Sequence, residues 1–364
     1  MPEKNVAHTQ WMKRAILLAS LGKNTTSPNP KVGAVILDKN GNLISEGFHY
    51  RAGMPHAEAM AFNNLKKDPQ GGSMYVNLEP CCHQGKTPPC VDKVISSGIR
   101  EVFISIQDPD KRVSGKGIKL LKEAGIQVHL GLCEKESLEL NNAFFYRNIT
   151  KKAFGVFKWA MSIDGRIALE NGKSKWITSE ESRSLVHSFR AEFDAIIIGG
   201  NTLRKDNPIL TTRGLKHPEP LRVIFTKSLD LPSKSNLWDC TQAKTIVIYD
   251  SSTANENYLK RIPKCVEIEK VSSDDPELIS KILAKRGCNK VLWECGPRLA
   301  TAAIKSNCIQ EIITFIAPKI LGGKSSMSPF GDLEFREMNE IIKLSDSQIR
   351  LIGNDICVKS ALKN

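Results

Sequence analysis

The sequence contains no hydrophobic run long enough to cross a membrane, since no segment approaches about 18 consecutive apolar residues. The first ten residues are polar, and the short apolar stretch that follows them has an amphipathic pattern. Nothing at the N-terminus therefore resembles a secretory signal peptide. We expect a cytoplasmic protein whose ten cysteines stay reduced and serve in packing or in metal binding.

The sequence also lacks a run of basic residues interleaved with aromatic ones, which is the pattern that single-stranded nucleic acids bind. The formal net charge is +13, but the lysines and arginines are dispersed and acidic residues stand among them. Dispersed charge of this kind is typical of a solvated surface, and it would also suit a phosphorylated small-molecule substrate. We expect neither a nucleic acid nor a membrane as partner.

Two further motifs are absent. The pattern G-x-G-x-x-G does not occur, so a Rossmann dinucleotide fingerprint is not supported. No C-x-x-C pair occurs either, although this pair is part of the signature by which nucleic-acid-editing zinc deaminases are recognised. The absence of C-x-x-C argues against one class of protein, a nucleic-acid-editing deaminase fused to an unrelated second domain.

What the sequence does contain is His56-Ala57-Glu58, followed by Cys81 and Cys90. Imidazole and thiolates are good zinc ligands, and three protein ligands leave a fourth position for water. Zinc lowers the pKa of that water toward neutrality, and Glu58 would move its proton without binding the metal. Cys82 is an alternative to Cys81, but two adjacent cysteines rarely bind one ion, and we favour the one that follows the proline.

The first 150 residues alternate between helix and strand patterns, which indicates an α/β domain with a mixed sheet. Cys81 would follow the end of a buried strand, and Cys90 would lie at a helix N-terminus, where the helix dipole favours a thiolate. We expect the last helix of this domain, over 134–150, to be polar and to close the domain. The patterns predict helices over 11–21, 57–65, 91–97, 118–124 and 134–150, and strands over 32–37, 43–49, 74–78, 101–106 and 126–130.

The same alternation starts again after residue 150, and a length of 364 residues agrees with two domains of about 100–200 residues each. We therefore expect domains over residues 1–150 and 151–364. The patterns of the second half predict strands over 154–160, 195–200, 221–226, 244–249, 290–294, 312–321 and 348–358, and helices over 182–191, 276–285 and 299–305.

Glycines and charged residues near these predicted strand ends are weak candidates for a second site. Gly199, Gly200 and Gly296 stand where a strand gives way to a helix, at which point backbone N–H groups can hold a phosphate. Glycine at a strand end is more often ordinary turn chemistry. The charged candidates are Lys158, Asp164, Arg190, Asp206, Arg213 and Glu294.

Longer strings make the assignment specific. The chain resembles the bifunctional deaminase/reductase family of riboflavin biosynthesis over essentially its whole length. The GKTPPC ending of one string accounts for the eight residues between Cys81 and Cys90. The matching strings are 27–34 (SPNPKVGA), 56–58 (HAE), 78–90 (LEPCCHQGKTPPC), 162–165 (SIDG), 174–178 (SKWIT), 202–208 (TLRKDNP), 294–297 (ECGP) and 316–319 (IAPK).

The resemblance implies two α/β domains, an N-terminal cytidine-deaminase-like three-layer domain and a C-terminal dihydrofolate-reductase-like domain. The first would use zinc to remove the 2-amino group of 2,5-diamino-6-(5-phosphoribosylamino)pyrimidin-4(3H)-one hydrolytically, giving 5-amino-6-(5-phosphoribosylamino)uracil. The second would reduce the ribosyl group to ribityl with NADPH. Relatives of this type commonly form homo-oligomers through the reductase domain.

The resemblance also implies roles for individual residues. His56, Cys81 and Cys90 would bind zinc, and Glu58 would be the catalytic acid and base. Arginines in the substrate set would suit a phosphate through their planar, bidentate fork. NADPH would contact Ala160, Trp176, Thr202, Asp206, Gly296, Pro297, Arg298, Leu299, Ala300, Thr301 and Ala302. The substrates would contact Asn29, His49, His83, Lys86, Lys158, Ser174, Arg190, Leu210, Arg213 and Glu294.

Plainer alternatives stay open at this point. His49 would also fit as a satisfied strand histidine, and Lys86 as a solvated loop charge. The second half would also fit as a scaffold without activity of its own. Against the latter, Asp206 and Glu294 are both present, so we expect both domains to be active.

Overall fold

The computed structural model of the protein describes residues 2–23, 25–84 and 88–363. It divides the chain into two compact units, Met1–Thr150 and Lys151–Asn364. Within the described ranges, no helix combines the length and the apolar character that crossing a bilayer requires.

The first unit is built on a mixed five-stranded sheet. Its strands are β1 (Gly33–Leu37), β2 (Leu43–Phe48), β3 (Ser73–Leu78), β4 (Glu101–Ile106) and β5 (Gln127–Leu130). Its helices are α1 (Pro2–Ser20), α2 (Ala57–Asn63), α3 (Cys90–Ser96), α4 (Lys116–Glu123), α5 (Glu134–Leu140) and α6 (Asn142–Thr150). The strand order is β2-β1-β3-β4-β5, with β1 antiparallel to both neighbours and β3, β4 and β5 parallel.

Helices cover both faces of this sheet, because successive strand residues are apolar and point to opposite sides. On β1, Ile36 belongs to a core cluster with Ala61 of α2, whereas Val35 belongs to another cluster with Met12 of α1. A Cβ atom at Gly47 of β2 would lie 2.5 Å from the backbone nitrogen of Ala61, so only glycine lets α2 pack this closely. The first unit is thus a three-layer α/β/α domain whose packing fixes the start of α2.

The segment 134–150 differs from its prediction as one polar helix. It forms two helices that are separated at Asn141, where the backbone leaves the helical conformation with φ of −114°. The buried Asn141 side chain accepts a hydrogen bond from the Lys31 N–H at 2.8 Å and donates one to the Lys31 carbonyl at 2.9 Å. The second helix is also not simply polar, since it buries Phe144 and Phe145.

The second unit is built on a nine-stranded sheet of order β10-β9-β8-β7-β11-β6-β12-β14-β13. All neighbouring strands pair parallel except β14, which is antiparallel to both β12 and β13. They are β6 (Phe154–Ser162), β7 (Ala195–Gly199), β8 (Leu221–Thr226), β9 (Thr245–Asp250), β10 (Glu267–Val271), β11 (Lys290–Trp293), β12 (Glu311–Ala317), β13 (Leu344–Ile352) and β14 (Asp355–Leu362). The helices are α7 (Glu180–Arg190), α8 (Gly200–Asp206), α9 (Pro276–Lys285) and α10 (Pro297–Lys305).

Two predicted strands of this sheet have other bounds in the structure, and one strand was not predicted. The single strand expected over 348–358 is a hairpin, because Gly353, with φ of +57°, turns the chain between β13 and β14. The strand expected over 312–321 ends at Ala317, because Pro318 has no N–H to continue the ladder. Strand β10 was not predicted, since it lies at the sheet edge and is largely charged and exposed.

Candidate functional sites

The three candidate metal ligands of the first unit come together. His56 lies directly before α2, Cys81 follows the end of β3, and Cys90 is the first residue of α3. The His56 Nδ1 atom lies 3.5 Å from the sulfur of each cysteine. One nitrogen and two sulfurs, all within 4.8 Å of one another, form the donor set and spacing that a tetrahedral zinc ion takes.

The neighbouring cysteine takes no part in this cluster. The Cys82 sulfur lies 3.7 Å from the Arg112 carbonyl oxygen, and its side chain packs against the core cluster beneath α2 and α3. The structure therefore brings Cys81, and not Cys82, to His56 and Cys90.

The thiols of Cys81 and Cys90 differ in the direction of their pKa shifts. Hydrogen bonds from Cys90 and then from His56 lower the pKa of Cys81 to about 4, and burial only partly opposes them. The Cys90 thiol donates to Cys81, so the pKa of Cys90 is raised. The hydrogen bond to Cys81 also raises the pKa of His56. A thiolate held among such groups is a ready ligand for a soft cation.

Glu58 lies on the first turn of α2 and is only 3% exposed. Burial, and then the negative charge of Cys81, raise the pKa of Glu58 to about 7. The carboxyl lies within hydrogen-bonding reach of the Cys90 thiol. A carboxyl with a pKa near neutrality can both accept and release a proton at ordinary pH.

A cavity of about 320 Å³ opens over this cluster and includes Glu58 in its wall. His49 and Asn29 also line it, with Asn29 Nδ2 3.1 Å from His49 Nε2 and His49 Nδ1 3.1 Å from the Pro55 carbonyl oxygen. Burial lowers the pKa of His49, so the ring is neutral, with Nδ1–H donating to Pro55 and Nε2 accepting from Asn29. Both ring nitrogens of His49 therefore have hydrogen-bond partners, and the residue also lines the cavity.

His83 also lines the cavity, and its Nδ1 atom is buried without a hydrogen-bond partner among the described residues. An orphaned buried polar atom indicates a group that a ligand would complete. Lys86, which was expected to contact the substrate, lies outside the described residues.

The segment after β4 supplies cavity residues that were not predicted, namely Asp108, Asp110 and Arg112. Burial raises the pKa of Asp108 to about 7, and Arg112 pairs with Asp110 at 2.6 Å. The sequence held a usable signal: these charges follow a buried strand that runs parallel to β3. Parallel strands end at the same edge, where ligands of α/β sheets bind.

In the second unit, three of the candidate charged residues form one cluster. Arg190 Nε and Nη2 donate to the two Glu294 carboxylate oxygens at 2.7 and 3.0 Å, and both side chains are nearly buried. Burial alone would raise the pKa of Glu294, but Arg190 outweighs it and lowers that pKa to about 2. Burial lowers the pKa of Lys158, and the nearby charges of Glu294 and Arg190 shift it in opposite directions. The Arg190 fork expected to clamp a phosphate is thus occupied by Glu294.

Leu210 and Arg213 lie on a loop beside this cluster. Both have φ of +55°, a left-handed conformation that is strained for residues other than glycine. The loop is held by Glu219, whose carboxylate accepts from the Thr212 N–H and hydroxyl at 2.7 Å, and by Arg190, which donates to the Thr211 carbonyl at 3.3 Å. Such over-determined strain is typical of functional loops.

Several expected cofactor residues follow the carboxyl ends of adjacent parallel strands β7, β11 and β6. Gly296 precedes α10; among the described residues no side chain caps this helix, and a Cβ atom at Gly296 would meet nothing within 4 Å. That open N-terminus, which comprises Gly296, Pro297, Arg298, Leu299, Ala300, Thr301 and Ala302, suits a phosphate. Thr202 lies on α8 after β7, and Ala160 lies near the end of β6.

The remaining expected contacts lie on loops and helix ends. Trp176 is 63% exposed, Arg183 stacks 4.4 Å from its ring centroid, and Lys319 donates to its carbonyl oxygen at 3.1 Å. Ser174 is half-buried on the same loop, and Asp206 is exposed at the end of α8.

The first unit thus has the ligand set and adjacent buried carboxyl of a zinc-dependent nucleobase deaminase, and the second has an open helix N-terminus at the end of a parallel sheet. Known families agree. Residues 5–106 match the family "Cytidine and deoxycytidylate deaminase zinc-binding region", and residues 153–358 match "RibD C-terminal domain".

Relatives of full length join the two units. The chain is 42% identical to riboflavin biosynthesis protein RibD of Synechocystis, over 94% of this chain and 93% of the relative. It is 39% identical to RibD of Aquifex aeolicus, over 96% of each chain. A solved structure of Acinetobacter baumannii RibD superimposes with a TM-score of 0.88 at 32% identity, covering 99% of this chain and all of that one.

A Thermotoga maritima diaminohydroxyphosphoribosylaminopyrimidine deaminase/5-amino-6-(5-phosphoribosylamino)uracil reductase gives a TM-score of 0.84 at 33% identity, over 99% and 100% of the two chains. The chain belongs to the RibD family of riboflavin biosynthesis proteins, and it is a bifunctional enzyme with a deaminase and a reductase domain. The expected family, fold class and double activity are confirmed. The zinc-binding deaminase region and the reductase domain point to zinc and a nicotinamide cofactor.

Proposed function

We propose that the first unit deaminates 2,5-diamino-6-(5-phosphoribosylamino)pyrimidin-4(3H)-one and that the second reduces the product, 5-amino-6-(5-phosphoribosylamino)uracil, to its ribityl form with NADPH. The observation that carries the proposal is the cluster of His56, Cys81 and Cys90 beside the buried Glu58, at a cavity of about 320 Å³ that His56, Glu58 and Cys81 line. The Thermotoga maritima relative, which is named for both activities, supports the choice of substrate.

In the deaminase unit, His56, Cys81 and Cys90 would hold zinc, for which their donor atoms and spacing are suited. Zinc supplies the Lewis acidity that makes water nucleophilic near neutral pH. Glu58 would take one proton of that water on its carboxylate and deliver it to the ring nitrogen, and it would then carry the second proton, from the hydroxyl added at the ring carbon, to the departing amine. Ammonia leaves, and a carbonyl takes its place on the ring.

Around the reacting carbon, Asn29, His49 and His83 would hold the substrate. The orphaned Nδ1 atom of His83 supports this role, since a ligand would satisfy it. Lys86, which stands between the two cysteine ligands in the sequence, would meet the phosphate as a point charge.

Replacing Cys81 and Cys82 separately by serine would test which sulfur holds the ion. A hydroxyl is a much weaker zinc ligand than a thiolate, so we expect Cys81→Ser to reduce zinc to less than about a tenth of one ion per chain. Cys82→Ser should keep about one zinc per chain. Atomic absorption on the dialysed proteins would decide, and equal zinc contents in the two variants would contradict the assignment.

In the reductase unit, the α10 N-terminus would hold NADPH phosphates, and Trp176, Thr202, Asp206 and Ala160 would complete the cofactor site. The hydride chemistry belongs to the cofactor, and the protein orients it against the ribosyl carbon. Lys158, Ser174, Leu210, Arg213 and Glu294 would contact the substrate, with Arg213 at its phosphate. Arg190 would act mainly by holding Glu294 and the Thr211 carbonyl in place.

We also propose that the chain self-associates through its reductase unit. Strand β13 forms the edge of the nine-stranded sheet and exposes Ile349 and Leu351 by 69% and 75%. An exposed apolar edge strand is a ready template for pairing. Sedimentation of the purified chain would test this, because a monomer at micromolar concentration is incompatible with it.

The test of the double function is a coupled assay on zinc-analysed protein with the phosphoribosylated diaminopyrimidine. Ammonia release and NADPH oxidation would be followed separately. We expect about one zinc per chain and ammonia release that precedes NADPH oxidation. Ammonia without NADPH oxidation would contradict the reductase assignment, and the absence of both would contradict the proposed substrate.

A further inference from the structure

A carboxylate that is not part of the metal cluster stands two residues before the metal ligand Cys81. Glu79 follows the last residue of β3 and is only 3% exposed. Its oxygens accept three backbone N–H groups, from Asp108 at 3.2 Å, Gly115 at 3.0 Å and Ile118 at 3.1 Å. A buried carboxylate with three such donors is strongly oriented.

Two of these donors belong to the start of helix α4. Gly115 is the residue before the helix and has φ of +75°, and glycine has no side chain with which to cap it. The first turn of α4 carries no acidic residue either. Glu79 therefore replaces an N-cap side chain, although it is distant in sequence, because it accepts N–H groups at the start of α4. Its negative charge also suits the positive end of the helix dipole.

The third donor belongs to the wall of the deaminase cavity. The N–H of Asp108 is bonded to Glu79, and Asp108, Asp110 and Arg112 line the cavity. The same wall has a second contact with the segment that carries Cys81, because the Cys82 sulfur lies near the Arg112 carbonyl oxygen. Glu79 thus connects one side of the cavity to the strand end that carries the metal ligand.

Gly117 shows how closely these segments are packed. A Cβ atom there would lie 2.4 Å from the Pro80 carbonyl oxygen, which no side chain tolerates. With α4 this close to the 79–81 segment, any shift of the helix start would also move the wall that precedes it.

We infer that Glu79 is a positioning residue for deamination. It fixes the cavity wall at residues 108–118 against the segment that carries Cys81. The inference rests on the proposed deamination at this site. A glutamine at position 79 keeps the shape but directs an NH₂ group at backbone N–H donors, so at least one buried donor loses its acceptor.

The test compares Glu79→Gln with Glu123→Gln, which changes an exposed glutamate of α4 that forms an ion pair with Lys119. We expect kcat/KM for ammonia release to fall by about 10- to 100-fold in Glu79→Gln, mainly through KM, because the wall is displaced by a fraction of an ångström. Zinc content and NADPH-dependent reduction of the deaminated product should not change. Glu123→Gln should behave as the wild type in every respect.

Hydrogen exchange adds a readout that is independent of activity. The amides of Gly115 and Ile118 should exchange faster in Glu79→Gln, while those of β3 and β4 keep their protection. If Glu79→Gln does not fold, Glu79→Asp replaces it, with the same direction of change, because the shorter side chain cannot reach all three donors.

The outcomes separate the inference from the proposed function. An inactive wild type would overturn the proposed deamination. An active wild type together with unchanged KM and exchange in the Glu79 variant would overturn the positioning role. Loss of zinc together with loss of reductase activity would show a general structural role, and it would overturn the inference as well.

Discussion

Replacement of Glu58 by glutamine is expected to lower the rate of ammonia release by about 10²- to 10⁴-fold, which is the usual contribution of a positioned general acid and base. The amide has the size and shape of the carboxyl but cannot take up a proton. Because burial and the charge of Cys81 raise the pKa of Glu58 to about 7, the native group can serve in both directions near neutral pH. A coupled assay with separate detection of ammonia would measure the loss.

The reductase reaction provides the internal control for this variant. When the deaminated product is supplied directly, Glu58→Gln should oxidise NADPH as fast as the wild type. It should also keep its zinc, since Glu58 is not one of the clustered ligands. Loss of both activities would contradict the independence of the two sites, and unaltered ammonia release would remove Glu58 from the mechanism.

Replacement of Arg190 by leucine should have the largest effect in the second unit. It leaves Glu294 buried without the guanidinium that pairs with both of its oxygens. Breaking a buried pair in this way typically costs about 3–5 kcal/mol in the free energy of unfolding. Reduction should fall by about 100-fold or more, because Glu294 and the Thr211 loop both lose a positioning contact.

The double variant Arg190→Leu/Glu294→Leu is the matched control. It removes both charges, so most of the lost stability should return, whereas the reductase activity should not. Denaturant unfolding followed at the tryptophans of the second unit would measure the stability. If the single and double variants unfold at the same denaturant concentration, the pair does not carry the stability assigned to it.

The same pair predicts a dependence of stability on pH. The folded pKa of Glu294 is lowered to about 2, below the ordinary value of 4.5. A lowered pKa stabilises the folded state above the unfolded pKa, and this contribution is lost as pH falls from about 4.5 toward about 2. The stability difference between wild type and Arg190→Leu should therefore shrink over that range. A difference that stays constant to pH 2 would argue against an ionised pair.

Local sequence patterns were sufficient where a residue and its neighbours decide the outcome. Most strands and helices of both units could be predicted, since apolar periodicity is a local property. The prediction failed at Asn141, where the side chain bonds to a backbone 110 positions away, and at Gly353, where one glycine turns an apparently continuous strand into a hairpin.

The sequence by itself determined the kinds of group at the deaminase site, because zinc chemistry needs imidazole, thiolate and carboxyl side chains and the chain places His56, Glu58, Cys81 and Cys90 in the order that this family uses. Only the tertiary structure decided which adjacent sulfur reaches the cluster, because the path of the chain after β3 sets the directions of Cys81 and Cys82. It also decided the partners of Glu79 and the pairing of Arg190 with Glu294 across 104 positions. Contacts between distant segments depend on how sheets and helices pack, and no local pattern records them.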